Sequence, residues 1–144
     1  MKYLITGAGP VGRAVARELA SRGHECLIMS RHDTTVNLGP RVQNITGDAT
    51  SKESYPANID GIAHCIHAAY SAEQWRKLLI PAEETALRIA AERTIPIVFP
   101  ESIYGFDPNC EEVSPTTPLT GSRHGKPGVR AQLIDTRLAS RAHT

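Results

Sequence analysis

Three glycines near the N-terminus are spaced as G-x-G-x-x-G, in Gly7-Ala8-Gly9-Pro10-Val11-Gly12. Each position has its own physical task when a chain holds a pyrophosphate. The first glycine permits a tight turn out of a strand. The second lets the phosphates approach bare backbone, and the third lets a helix pack closely on the strand. A helix opening at Pro10 and Val11 points its unpaired N–H groups and the positive end of its dipole at the anion. Arg13 follows directly and adds positive charge.

A second group of residues bears on which dinucleotide is held. An NAD site normally carries Asp or Glu at the end of the second strand, on the ribose hydroxyls. Here that place reads Ser30-Arg31-His32, and the nearest acid, Asp33, comes late. A carboxylate repels a 2′-phosphate, whereas a guanidinium can grip it at two points. NADP(H) is therefore favoured, with NAD(H) as the alternative. The plain alternative for Arg13 and Arg31 is a pair of solvated surface charges.

These residues need elements to position them. Lys2–Thr6 is a short apolar run that stops at the glycines, as a buried strand does. From Val11 to Ala20 the apolar residues Val11, Ala14, Val15, Leu19 and Ala20 recur at helical spacing, and Gly23 is a natural stop. Glu25–Ser30 reads as a second strand, closing a βαβ unit, which is the setting the glycine motif requires. Thr34–Pro40 reads as loop or weak helix. Further strands are expected over Val42–Ile45, Gly61–Ala68 and Ile95–Phe99. A long helical pattern spans Ala72–Arg93, with Pro81 expected to kink or split it. Residues 105–128 are rich in Pro, Gly, Ser and Thr and read as a long loop. A last helix is expected over Val129–Ala142, with Val129, Leu133, Ile134 and Leu138 on one face. Alternating strands and helices predict an α/β fold: a doubly wound parallel sheet in the order 3-2-1-4-5, of Rossmann type. Its ligand crevice would lie at the carboxyl ends of strands 1 and 4.

The chain has 144 residues, 40% hydrophobic and 22% charged, which suits one soluble domain. Residues 1–144 are accordingly read as one nucleotide-binding domain. The formal charge of +1 argues against nucleic acid or an anionic membrane as partner. No apolar run approaches a membrane span, and the N-terminus lacks the long apolar core of a signal peptide, so a cytoplasmic location is expected. Cys26, Cys65 and Cys110 have no metal-ligand spacing and read as thiols in a reducing compartment.

Five segments together resemble the short-chain dehydrogenase/reductase superfamily, in its extended and atypical branch of NAD-dependent epimerase/dehydratase-like proteins. They are T-G-A-G-P-V-G-R-A-V-A-R-E-L at 6–19, G-D-A-T at 47–50, H-A-A at 67–69, S-I-Y-G at 102–105 and G-V-R-A-Q-L at 128–133. They follow the family's order over nearly the whole chain. The resemblance implies that Asp48 and its neighbour Ala49 lie at the adenine. It also implies that His67, Ala68 and Ala69 run along the cofactor ribose. For His67 a strand-end histidine with a local backbone bond is the competing assignment.

Two departures limit what the resemblance implies about activity. Enzymes of the family use a Ser or Thr together with a Tyr-x-x-x-Lys pair, the tyrosine as acid/base. No Y-x-x-x-K occurs here; His124 stands about where the tyrosine would be and Gly128 about where the lysine would be. Pro100 holds the common position of the Ser or Thr. Ser102, Tyr104 and His124 are the remaining catalytic candidates, against a packing or capping role for Ser102 and a solvated loop position for His124. Family members also continue into a substrate-binding part that is not seen in these residues. Two functions follow as expectations: oxidoreductase-type chemistry on a small carbonyl or sugar-nucleotide substrate, or a non-catalytic NADP(H)-binding sensor or regulatory module. Apolar surface left bare on the last helix, at Leu133 and Leu138, would suit a homodimer.

Overall fold

The computed structural model describes residues 1–32 and 37–141. Asp33, residues 34–36 of the loop expected at Thr34–Pro40, and Ala142 at the end of the last helix lie outside them. Five strands, β1 (Lys2–Thr6), β2 (Glu25–Ser30), β3 (Val42–Thr46), β4 (Gly61–His64) and β5 (Ile97–Val98), form one sheet in the order β3-β2-β1-β4-β5. All neighbours are parallel. Three α-helices accompany them: α1 (Pro10–Ser21), α2 (Ala72–Arg93) and α3 (Gly125–Arg141). The predicted order is the observed one.

Two compact units divide the chain. The first comprises Met1–His67 and Pro81–Pro100, and the second Ala68–Ile80 with Glu101–Thr144. In the first unit the strands alternate their side chains between two apolar layers, as period-2 geometry dictates. Leu4, Leu27, Met29 and Ile62 pack with Ala82, Ala86, Ile89 and Ala90 of α2 and with Ala49, Tyr55 and Ile59. Ile5, Cys26, Ile28 and Ala63 pack with Ala16 of α1. Both faces of the sheet are therefore covered, which is why β1, β2 and β4 read as continuous apolar runs.

The glycine turn is built by close approach. Gly7 has φ +100°, and a Cβ there would lie 2.8 Å from the Cys65 carbonyl oxygen. A Cβ on Gly12 would lie 1.9 Å from the Gly7 carbonyl oxygen. Pro10 occupies the start of α1, where its missing N–H has no intrahelical partner to lose.

Several boundaries differ from expectation, each for a local reason. β4 ends at His64 rather than Ala68. β5 is only Ile97–Val98, because the Ile95 N–H closes the end of α2 on the Ala90 carbonyl and Pro96 has no N–H to give. Pro81 does not split α2, which runs unbroken through it; the cost is the bond to the Lys77 carbonyl. α3 starts at Gly125, four residues early, since Pro127 falls in its first turn where proline is tolerated.

The second unit contains a 3-10 turn (Ile103–Gly105), an antiparallel bridge between Phe106 and Leu119, and α3. The last helix does not leave its apolar stripe bare. Val129 and Leu133 are 0% and 2% exposed and Ile134 is half-buried, so only Leu138, at 55%, is open. Leu133 is thus unavailable to a dimer contact.

The close approach at Gly12 sets a testable asymmetry within one turn. Gly12→Ala should lose about 1–3 kcal/mol in urea unfolding, as overpacked sites do. Gly9→Ala, whose Cβ would meet nothing within 4 Å, should lose less than about 1 kcal/mol. Equal losses would contradict the packing described.

Candidate functional site

The turn from β1 into α1 lies at the carboxyl end of the central strand. Its backbone is pinned on both sides: the Gly7 N–H donates to the Met29 carbonyl (2.8 Å), and the Cys65 N–H donates to the Thr6 carbonyl (2.8 Å). Arg13 folds back over the turn, its Nε donating to the Ala8 carbonyl at 2.7 Å. This guanidinium therefore clasps the glycine turn as well as charging it. Between the closed positions Gly7 and Gly12, Gly9 is exposed and faces open space. Val11 is also exposed, so the first turn of α1 is reachable from solvent. Bare backbone, an open approach and a helix start are the features by which a strand-to-helix turn can accept an anion.

Below the turn, Thr6 and His64 end β1 and β4 as a buried polar pair, Oγ1 to Nδ1 at 2.9 Å. The His64 ring also lies 5.5 Å from that of Phe99. Neither residue was legible as part of the site, because each is an isolated polar residue at the end of an apolar run.

At the end of β2, Ser30 Oγ donates to the His32 carbonyl at 2.7 Å, and Arg31 is exposed. Asp48 lies past the end of β3 and is exposed. Its Oδ1 accepts from the Thr50 N–H (2.9 Å) and the Thr50 hydroxyl (2.8 Å). Those two donors hold its carboxyl below the usual range, and the Arg31 charge adds to the lowering. Ala49 differs from its neighbour: it is buried in the core, and its carbonyl accepts from the Tyr55 hydroxyl at 3.0 Å. Its side chain is spent on packing. His67 is exposed. Burial pushes the Cys65 thiol up to about 11 and raises that of Cys26, so neither is a ready nucleophile.

Ala68 and Ala69 belong to the second unit, with Ser102, Tyr104 and His124. Ser102 precedes the 3-10 turn and bonds to Glu101 Oε1, through its N–H (2.7 Å) and its hydroxyl (3.3 Å). His124 is exposed, before α3. A Cβ on Gly128 would lie 2.5 Å from the Arg123 carbonyl carbon, so no lysine could stand at this position without moving the backbone.

Tyr104 has company that spacing did not reveal. Its hydroxyl is 2.5 Å from that of Tyr70. Lys126 Nζ sits over the Tyr70 ring, 3.4 Å from the centroid. Trp75, 1% exposed, meets both tyrosines edge-on at 5.8 and 6.0 Å. Arg130 covers the Trp75 ring at 4.8 Å and pairs with Glu101, which also binds Arg137. Three separate stretches of chain supply this cluster, so no short motif marks it.

The comparisons with known proteins fall in line with this geometry. The model of the NAD-dependent epimerase/dehydratase family matches residues 3–97, and the chain belongs to that family. No match was found among curated protein sequences. Among solved structures, UDP-glucose 4-epimerase from Bifidobacterium longum, in complex with NAD+ and UDP, has a TM-score of 0.76 at 17% identity. The match covers 99% of this chain and 49% of that one. A mutated uronate dehydrogenase has a TM-score of 0.77 at 18% identity, covering 99% of this chain and 54% of that one. The Bordetella bronchiseptica enzyme WbmG, in complex with NAD and UDP, has a TM-score of 0.73 at 15% identity, covering 95% and 48%. The chain spans about half the length of these structures. At such identities they share its fold.

The double bond from Thr50 predicts a shift of known sign. Thr50→Val removes one of two donors, so the Asp48 carboxyl midpoint, read by carbon-13 NMR, should rise toward the ordinary 3.8. Because the folded value is depressed, the stability it contributes is present above the unfolded midpoint and is lost as pH falls through the folded one. An unchanged midpoint would show that the Thr50 hydroxyl does not hold the charge.

Proposed function

We propose that this chain holds NADP(H), with NAD(H) as the alternative, on the turn between β1 and α1. We further propose that it serves oxidoreductase- or epimerase-type chemistry on a small carbonyl or sugar-nucleotide substrate. One observation carries the first part: Gly9 faces open space at the carboxyl end of β1, while Gly7 and Gly12 are closed by backbone. Family membership and the NAD present in two of the structures above support a nicotinamide dinucleotide. The UDP in the same two structures supports a sugar nucleotide as substrate class. Residues 1–144 then correspond to the nucleotide-binding part of the larger architecture, consistent with a match that takes in nearly all of this chain and half of theirs.

Gly7, Gly9 and Gly12 would receive the pyrophosphate, with the first N–H groups of α1 donating to it. Arg31 would bind the 2′-phosphate, and Asp48 would face the adenine. A bound nicotinamide supplies or accepts a hydride. A non-catalytic sensor is the second function in play, favoured by one observation: Gly128, at the place of the family's lysine, has no room for a side chain.

Calorimetric titration tests the site. Gly9→Val places a branched side chain where the pyrophosphate must lie, and a folded variant should lose binding of both cofactors. Arg31→Ala should weaken NADPH about ten- to a hundredfold and spare NADH, since a hydrogen bond to a charged group contributes about 1.5–3 kcal/mol. Equal effects on the two cofactors would remove the argument for NADP.

A further inference from the structure

A cavity of about 450 Å³ opens at the amino-terminal ends of β1, β2 and β3, away from the glycine turn at the carboxyl end of β1. Pockets that take small molecules are commonly of about 300–1,000 Å³. The strand register pairs Lys2 with Glu25 and Leu27 with Gln43. Period-2 geometry puts these four side chains on one face of the sheet. It is the face that α2 covers further along, at Leu4, Leu27 and Met29. Below that cover the lining turns polar. Lys2, Glu25, Arg41 and Gln43 surround Leu27 and Pro40. Leu27 is 9% exposed, while Arg41, Gln43 and Pro40 are open to solvent.

The charges of this lining select a ligand. Lys2 Nζ pairs with Glu25 Oε2 at 3.4 Å, so those two compensate each other. Arg41 Nη1 donates to the Gly23 carbonyl at 3.4 Å, and no carboxylate among the described residues pairs with the guanidinium. The Arg41 backbone is held in place, its carbonyl accepting from the Cys26 N–H at 2.9 Å. The cavity therefore carries one uncompensated positive charge, on a planar fork with donors to spare. A carboxylate meets such a fork with two parallel hydrogen bonds. The Gln43 amide adds a neutral donor beside it. A phosphate dianion would bring a second negative charge toward Glu25, and inorganic phosphate has no apolar part to cover Leu27 and Pro40. We propose that this cavity binds a small organic carboxylate, with its carboxyl group on Arg41 and Gln43 and its apolar body over Leu27 and Pro40. The site does not depend on the function proposed above.

Hexanoate, acetate, inorganic phosphate and hexylamine, each added to the nitrogen-15-labelled full chain, test the assignment. Low ionic strength is required, because salt screens exposed charges. Hexanoate should shift the amide resonances of Cys26, Leu27, Arg41 and Gln43 in a saturable way. Acetate has the same carboxyl group without the chain and should bind at least about tenfold more weakly, since each buried methylene adds affinity. Arg41→Gln keeps the backbone bond to Cys26 and changes only an exposed side chain, so it should fold. It should weaken hexanoate about tenfold or more, the usual effect of losing hydrogen bonds to a charged group. Glu25→Gln removes an exposed ion pair that contributes little to stability, frees the Lys2 ammonium and should tighten hexanoate binding. The proposal is overturned if hexanoate gives no saturable shifts at these amides, or if Arg41→Gln binds it as tightly as wild type. Weaker binding by Glu25→Gln overturns it too, as does phosphate or hexylamine binding as tightly as hexanoate. Shifts centred on Gly7, Gly9 and Gly12 instead would put the anion on the glycine turn and equally overturn it.

Discussion

Helix α1 begins so close to the turn leaving β1 that a methyl group at Gly12 would come within 1.9 Å of the Gly7 carbonyl oxygen. Almost everything in the first unit depends on that approach. It draws the start of α1 down onto β1 and lets Ala16, one turn further on, reach Ile5, Ile28 and Ala63. The same turn is held from the other side, where Gly7 leaves no room between itself and the Cys65 carbonyl. Two of the three glycines are consumed in packing, and the third is left facing solvent. The open glycine is thereby set on a closely packed base, beside a helix start whose dipole favours negative charge.

The part of the chain governed by local patterns was legible in the sequence. Leu4-Ile5 and Cys26-Leu27-Ile28-Met29 are buried on both faces, so each appears as an unbroken apolar run, and the glycines between them mark the turn and helix start. The strand order followed from the alternation of elements. Proline was given too much weight inside one helix whose two ends were expected correctly, and the start of another helix was expected four residues late. Pro81 sits inside an unbroken helix, and Pro127 sits in a first turn that a proline tolerates. Ile95 looked like strand because it is apolar, but its N–H is used to close α2. The family resemblance put Ala49 beside Asp48 at the adenine, while its burial in the core was not legible from the sequence.

The glycine turn of the first unit and the aromatic cluster of the second differ in the same way. The glycine motif has fixed spacing because a single turn and a single helix build it. Tyr70, Tyr104 and Lys126 have no fixed spacing, because a loop, a 3-10 turn and a helix bring them together. Sequence reading singled out Tyr104 but had no means of pairing it. It weighed His124 against a solvated loop position, and the structure leaves that residue exposed. Gly128 shows the opposite limit: a missing lysine was plain in the sequence, while the steric reason that nothing larger fits there, backbone at 2.5 Å, needed coordinates.

The proposed preference for NADP(H) rests on the charge of Arg31. Arg31 is exposed and cationic, but its field already acts on Asp48. The central claim nonetheless concerns the place of binding, and one measurement addresses it most directly. Amide resonances of the nitrogen-15-labelled chain, followed as NADPH is added, should shift in a saturable way at Gly7, Gly9 and Gly12 and at Arg13, with a second group at Gly47 and Asp48. Saturable shifts confined to other parts of the chain, or none at millimolar cofactor, would contradict it.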